Sequence, residues 1–594
     1  MLTPWADTLD RAQPLPEYPR PQMVRDSYLN LNGPWSYAIT TSASKPAQAD
    51  GTILVPFSPE SELSGVGHVL QPEEYLWYIR TVTLPDGFNV GRVLLHFGAI
   101  DQTATVWCNG VELATHTGGY LPFTVDITEV LAKENTILVC VRDATNKSQL
   151  PRGKQTLHPH GIWYTPQSGI WQTVWLESVP QNYIRSLHVT PLFDAHQVEI
   201  TVEGEGQCMI DLEGKRFTFP AGVPAHVPVQ SFRPWSPEHP TLYPFSVTLG
   251  DDTVYSYFAM RKCSVETDKD GVRRLFLNGK PYFHNGLLDQ GYWPDGLYTA
   301  PSDDALVYDI QLAKDMGFNM LRKHIKVECD RWYYHCDRLG MLVWQDAVSG
   351  GGTDGEYNAW TTNRKPTLIR STWNKFRDDT AKHFTALGAD DPIYRRDWSR
   401  TCDAMVHMLG GHPSIVTWTL FNEGWGQFDA CDAAERIHAL DPTRPIDATS
   451  GWYDQHCGDF HSVHNYFRPL EIYPDKGPLR GYVAEFEKKH RRRRRAAHYV
   501  VLPVARHGVR AFVISEFGGL AQLVPEHAAV SRAYGYGEYD SIDDWRAAVR
   551  SVLASAAALE SRGLAGYVYT QVSDVEEELN GLLTYDRRVD KFAE

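Results

Sequence analysis

Downstream of Cys263 the chain repeats one pattern that few folds accept: a short apolar run closed by a polar residue, then a helical stretch. The runs are Pro281 to His284, Asn319 to His324, Met341 to Asp346, Ile415 to Asn422, Ile446 to Ser450, Phe460 to Tyr466, Ala511 to Glu516 and Ala565 to Gln571. Near-continuous apolar runs are strands buried on both faces, which is what a parallel sheet covered by helices demands. The helical stretches carry their own signals. Ser302 with Asp303 and Asp304 makes an N-terminal cap, Leu306, Ile310 and Ala313 share one face, and Gly317 is a stop. Eight such units, with insertions, predict a (β/α)8 TIM barrel, whose chemistry gathers at the carboxyl ends of the strands.

The sequence before Cys263 has a different grammar. Thr103 to Cys108 and Val111 to Thr115 flank Asn109-Gly110, a strong hairpin signal. Ile137, Val139 and Val141 alternate with their neighbours at a period of two, as do Val198, Ile200 and Val202 and later Phe245, Val247 and Leu249. Strands without intervening helices predict β-sandwiches, the second about the size of an immunoglobulin-like sandwich with Pro234 to Pro244 as a loop. At 594 residues the chain exceeds what one core serves, so three domains are expected: 1–180, 181–263 and 264–594.

Two of the barrel runs end in glutamate. Ile415 to Phe421 leads into Asn422-Glu423 and Gly424-Trp425-Gly426, and Ala511 to Ser515 leads into Glu516 and Phe517-Gly518-Gly519. A barrel aims both carboxylates at one mouth. Two carboxyl groups about 5 to 5.5 Å apart hydrolyse a glycosidic bond with retention, one as acid/base and one as nucleophile. Glu485, in Val483-Ala484-Glu485-Phe486, echoes the second motif but lacks both the long apolar run and the glycines.

With these motifs in place, the chain resembles glycoside hydrolase family 2, the group of β-galactosidases, β-glucuronidases and β-mannosidases. Leu31-Asn32-Gly33-Pro34-Trp35, Tyr75-Leu76-Trp77-Tyr78, the stretch from Gly169 to Glu177 and both glutamate motifs carry the resemblance. It implies a sugar-binding jelly-roll β-sandwich, an immunoglobulin-like β-sandwich and a catalytic barrel, in that order. It also implies that Asn422 holds the substrate's 2-hydroxyl, Glu423 is the acid/base and Glu516 the nucleophile. Arg322 and His324 would line the pocket, and Tyr466 would orient the nucleophile. Asp346, Gln571 and Asp574 close barrel runs and are candidates to contact sugar hydroxyls, and Trp425 is a candidate to stack on substrate. The function expected is that of a retaining exo-β-glycosidase needing no cofactor or metal. β-Galactosidase is the first reading, because no Asn-x-Lys motif of the family's β-glucuronidases stands near the seventh and eighth strands. β-Glucuronidase or another β-glycosidase of the same family is the second, and a carbohydrate-binding protein without activity is the alternative of another class.

The net charge of −16 disfavours nucleic acid and anionic lipid as partners. The basic run from Lys488 to Arg495 reads as a solvated loop. No stretch approaches the roughly 20 apolar residues of a membrane span. Met1 to Pro21 has no leader pattern, and the nine scattered cysteines read as free thiols of a cytoplasmic protein. The sandwich surfaces leave a homo-oligomer open.

Overall fold

A computed structural model describes residues 1–351, 377–466, 470, 509–531, 533–537, 539 and 541–593. The basic run and Glu485 lie outside them. Nearest the N-terminus, a six-stranded antiparallel sheet (Gly51–Val55, Gly33–Thr40, Tyr75–Val82, Asn135–Arg142, Thr103–Cys108, Val111–Thr117) accompanies a four-stranded one (Leu29–Asn30, Val174–Val179, Arg92–Phe97, Phe123–Asp126). Trp35, Tyr78, Val106, Ile137 and Val139 of the first share a core with Leu95, Phe97, Val125 and Leu176 of the second. The alternation in Ile137, Val139 and Val141 is thus the inward face of a sandwich strand. At the hairpin tip Asn109 and Gly110 both take positive φ, 52° and 82°, the conformation that a tight turn between twisted strands requires.

A second sandwich follows, a three-stranded sheet with Ser186–Leu192, Gln197–Glu203 and Ala225–Pro228 and a four-stranded one with Lys215–Pro220, Gln207–Leu212, Tyr243–Leu249 and Asp252–Phe258. Val198, Ile200, Val202, Phe245, Val247 and Leu249 all point into its core. Arg25 ties this sandwich to the first, its buried guanidinium pairing with Glu177 on one side and Asp252 on the other.

The remaining strands form one eight-stranded parallel sheet, in chain order His284–Asp289, Met320–Lys323, Leu342–Asp346, Ile415–Thr419, Ile446–Asp447, Phe460–Asn465, Ala511–Gly518 and Leu564–Thr570. The first strand pairs with the eighth, so the sheet curls into a barrel whose fifth and sixth strands face each other. The helix expected after the first strand spans Asp303–Asp315; Ser302 caps it by accepting from the Ala305 amide, and Gly317 follows at φ 91°.

Two expectations are corrected. The first barrel strand begins at His284 rather than ending there, because Lys280–Pro281 instead closes a small antiparallel sheet with Arg273–Leu277. Pro281 has no amide to donate and suits that edge. Nor are all nine cysteines free: Cys431, in helix Ala430–Leu440, and Cys457, in the loop before the sixth strand, form a disulfide with Cα atoms 5.5 Å apart. The chain brings together two residues 26 positions apart, a pairing that no short Cys spacing announces.

A long loop of the first sandwich reaches the barrel mouth. Arg152 and Gly153 donate amides to the Ser349 carbonyl. Further along, Gly161 and Thr165 donate amides to Glu577 and Glu576, and the Tyr164 hydroxyl donates to Glu578. Three consecutive glutamates after the eighth strand thereby anchor it.

Candidate active site

Glu423 and Glu516 converge at the carboxyl end of the barrel, as the apolar strands before them dictate. Glycine comes one residue after Glu423 and two after Glu516, for a steric reason. A Cβ on Gly424, at φ 75°, would come within 2.3 Å of the Tyr453 ring, and one on Gly518, at φ 87°, within 2.3 Å of the Tyr569 ring. Glu423 itself takes φ 54°, a left-handed conformation rare for a residue with a side chain and a mark of a site under geometric demand. The ladder also breaks where the acids sit. Between the sixth and seventh strands the register shifts at Val463/His464, pairing His464 with Glu516. Such bulges re-aim side chains at barrel rims.

Oxygens of Glu423 and Glu516 and a ring nitrogen of His464 lie within 4.8 Å of one another. His464 Nδ1 is 2.7 Å from Glu423 Oε1 and 3.4 Å from Glu516 Oε2. On the other side Arg322 Nη1 donates to Glu516 Oε1 at 3.2 Å, and the Tyr466 hydroxyl donates to Glu516 Oε2 at 2.6 Å. Arg322 is fully buried and also donates to Asp346 through Nε and Nη2 and to Asn422 Oδ1. His324 Nδ1 meets Asp346 Oδ2 at 2.8 Å, while its Nε2 lies 3.9 Å from Glu516. The three converging groups have the spacing a divalent cation could use, but Arg322 and Tyr466 already engage both oxygens of Glu516.

The two acids are driven apart in acidity. Burial pushes Glu423 above the usual carboxylate range, and the negative charge of Glu516 adds to it against the pull of His464. Burial acts on Glu516 as well, but the charges of His464, His324 and Arg322 and the Tyr466 hydrogen bond overcome it and bring the group down to about 2. Desolvation holds His324 at about 4, so at neutral pH its ring is uncharged and Arg322 supplies the lasting positive charge.

The pocket above the acids is lined by Asn422, Tyr466, His324, Trp425, Gln290, Glu578, Tyr536 and, from the long loop of the first sandwich, Lys154, Ile162 and Trp163. Trp163 meets Trp425 edge-on with centroids 4.9 Å apart. Other residues named from the sequence sit outside this lining. Arg322, expected with His324 to line the pocket, is among them, and Asp346 holds both Arg322 and His324. Gln571 bridges Gln290 and Asn580, and Asp574 pairs with Lys591 and accepts from the Gly581 amide. His464, Glu578 and Lys154 were not singled out in the sequence. Period-two alternation carried the signal for His464, because Ser462, His464 and Tyr466 fall on one face of their strand.

Residues 270–589 match the model of the glycosyl hydrolases family 2 TIM barrel domain, and residues 39–195 that of the glycosyl hydrolase 2 galactose-binding domain-like family. The chain belongs to glycosyl hydrolase family 2. This family-2 enzyme is 26% identical to a β-glucuronidase of Paenibacillus borealis over 68% of its own length and 69% of the relative's. It is 25% identical to the β-glucuronidase of Canis lupus familiaris over 80% and 77%, and 25% identical to a β-galactosidase of Klebsiella pneumoniae over 62% and 35%. Among solved structures it resembles a family-2 β-galacturonidase of Eisenbergiella tayi (TM-score 0.68, 18% identity, 97% and 96% of the chains). A β-D-glucuronidase of Dictyoglomus thermophilum is similar too (TM-score 0.70, 18% identity, 97% of each). At those identities the structures establish the shared fold, a nearly closed parallel barrel preceded by β-rich domains. The enzyme is a glycoside hydrolase, and its substrate is a carbohydrate. Among the described residues no helix is long and apolar enough to cross a membrane.

Proposed function

We propose that the protein is a retaining exo-β-glycosidase acting by double displacement, with Glu423 as acid/base and Glu516 as nucleophile. The observation that carries this reading is the pair of carboxylates within 4.8 Å, one raised and one lowered in pKa. Two carboxylates close together with that division of labour are what retention needs. Protonated Glu423 gives its proton to the glycosidic oxygen as Glu516 attacks the anomeric carbon. Once Glu516 is esterified its charge is gone, Glu423 becomes a stronger acid, and as carboxylate it draws a proton from the water that releases the sugar. Asn422, held by Arg322, accounts for the 2-hydroxyl contact. Tyr466 and Arg322 keep the nucleophile ionised and oriented. The walls added by Ile162 and Trp163 suit a pocket taking one terminal sugar. Catalysis belongs to the barrel of residues 264–594, preceded by a sugar-binding-like jelly-roll sandwich at 1–180 and an immunoglobulin-like sandwich at 181–263.

A β-galactoside is the first substrate proposed, and the names of the relatives favour a β-glucuronide as the second. Proton NMR of the first product formed tests the mechanism. A β-anomer that later mutarotates is expected; an α-anomer formed first sinks the double displacement. Failure to turn over any of a panel of chromogenic glycosides, with sugar binding intact, would favour the inactive binding protein.

His464 gives a separate prediction. Its contacts lower the pKa of both glutamates, so His464→Ala should move both limbs of the kcat/KM pH profile to higher pH. The acid limb rises because Glu516 protonates sooner, and the alkaline limb rises because Glu423 holds its proton longer. A cost of about tenfold in kcat accompanies the shift, the scale of one lost hydrogen bond to a charged group. Unmoved limbs would reduce His464 to a packing residue.

A further inference from the structure

Resting on the glycosidase reading above and deepening it, we propose that Glu578 determines specificity, accepting hydroxyls of a neutral sugar and turning away uronides. Glu578 lines the same pocket as Glu423 and Glu516 and is 3% exposed. Its carboxylate is fixed from behind: the Tyr164 hydroxyl donates to Oε2, and Asn580 Nδ2 donates to Oε1 at 3.4 Å. An ionised carboxylate offers about four acceptor sites. Two are taken by these donors, which leaves acceptor capacity on a residue that lines the pocket. Only donors satisfy it, and sugar hydroxyls are donors.

The charges around the pocket lead to the same conclusion. The carboxylates Glu516, Glu578 and Asp346 share the cations Arg322 and Lys154, and His464 is taken up between Glu423 and Glu516. Arg322 is divided between Asp346 and Glu516. His324, held at about 4, adds no charge at neutral pH. Lys154, half-buried, lies with its ammonium 5.6 Å from the Tyr164 ring centroid. Among the described residues it forms no salt bridge; burial lifts Glu578 above the usual carboxylate range, and the field of Lys154 is the chief counterweight that favours its ionised form. A neutral glycone enters a site whose cations are already engaged by its own carboxylates. A uronate would bring a further negative charge beside Glu516 and Glu578, and like charges repel. Lys154 cannot serve a substrate carboxylate without giving up part of its hold on Glu578. A neutral-sugar preference would set this enzyme apart from relatives named β-glucuronidase and β-galacturonidase.

The test compares kcat/KM for 4-nitrophenyl β-galactoside and β-glucoside with the β-galacturonide and β-glucuronide of the same aglycone. The wild type should favour a neutral member over its matched uronide by at least about 100-fold. Glu578→Gln should lower the neutral rate about 10- to 100-fold, the worth of one hydrogen bond to a charged acceptor, and move the neutral-to-uronide ratio at least about tenfold toward the uronide. A wild type that prefers a uronide overturns the proposal without any variant, as does a Glu578→Gln enzyme whose ratio is unchanged. Uronide turnover abolished by Glu516→Gln would leave the glycosidase reading standing while this one fell. No turnover of any of the four substrates would remove both.

Discussion

Glu516→Ala lowers kcat by about 10⁴-fold or more on every glycoside the wild type accepts, and azide restores turnover with formation of an α-glycosyl azide. The size follows from what is lost. Without the carboxylate no covalent intermediate forms, and removal of a nucleophile typically costs four to six orders of magnitude. The rescue follows from what remains. Arg322 Nη1 and the Tyr466 hydroxyl still aim at the vacated space, a ready site for a small anion. Azide bound there attacks the face that Glu516 would have used, and a single displacement inverts the β-centre to α. Arg322 keeps its two bonds to Asp346, so the buried guanidinium is not stranded and the barrel should survive the substitution. Measuring kcat with and without azide and assigning the azide anomer by NMR checks this. A residual activity within about tenfold of wild type, or a β-azide, would mean that another group is the nucleophile.

The elements legible in the sequence were those whose signal is local. The two glutamates stand out because each closes a buried apolar strand with glycine one or two residues on, a pattern set by steric needs within a few residues. The hairpin at Asn109-Gly110 and the cap at Ser302 were legible for the same reason. What escaped depends on contacts made across the fold. Lys154 and Glu578 share a pocket only because a sandwich loop docks on three glutamates more than four hundred residues later in the chain. The pairing of Cys431 with Cys457 is another product of tertiary placement. His464 lay between these extremes. Its face on the sixth strand was readable, but its contact with Glu423 required the register shift at Val463/His464. Asp574 shows the converse, a carboxylate at the right end of a barrel strand that folding turns toward Lys591. Strand position nominates residues; the side-chain partners decide which of them face the pocket.

Glu423→Gln separates substrates by their leaving groups. Proton donation matters most when the departing oxygen is basic, so kcat/KM for an alkyl β-glycoside should fall about 10²- to 10⁴-fold, the usual worth of a positioned general acid. For a 2,4-dinitrophenyl glycoside, whose leaving group departs unaided, kcat/KM should fall less than about tenfold. The kcat on that substrate should nonetheless drop steeply, because the second step loses its base and the glycosyl-enzyme accumulates. Azide needs no base, so it restores kcat and gives a β-glycosyl azide, the opposite anomer from the nucleophile variant. The pH profile supplies an independent reading. Glu423 is raised above the usual range and must be protonated at the start, so wild-type kcat/KM on the alkyl glycoside falls as pH rises through its pKa. Glu516 sits near 2 and must be ionised, so the loss on the acid side comes only as pH falls toward that value. Glutamine at 423 cannot titrate, and the alkaline limb should vanish while the acid limb stays. Persistence of the alkaline limb in Glu423→Gln, or equal losses on both leaving groups, would assign the proton to a different residue.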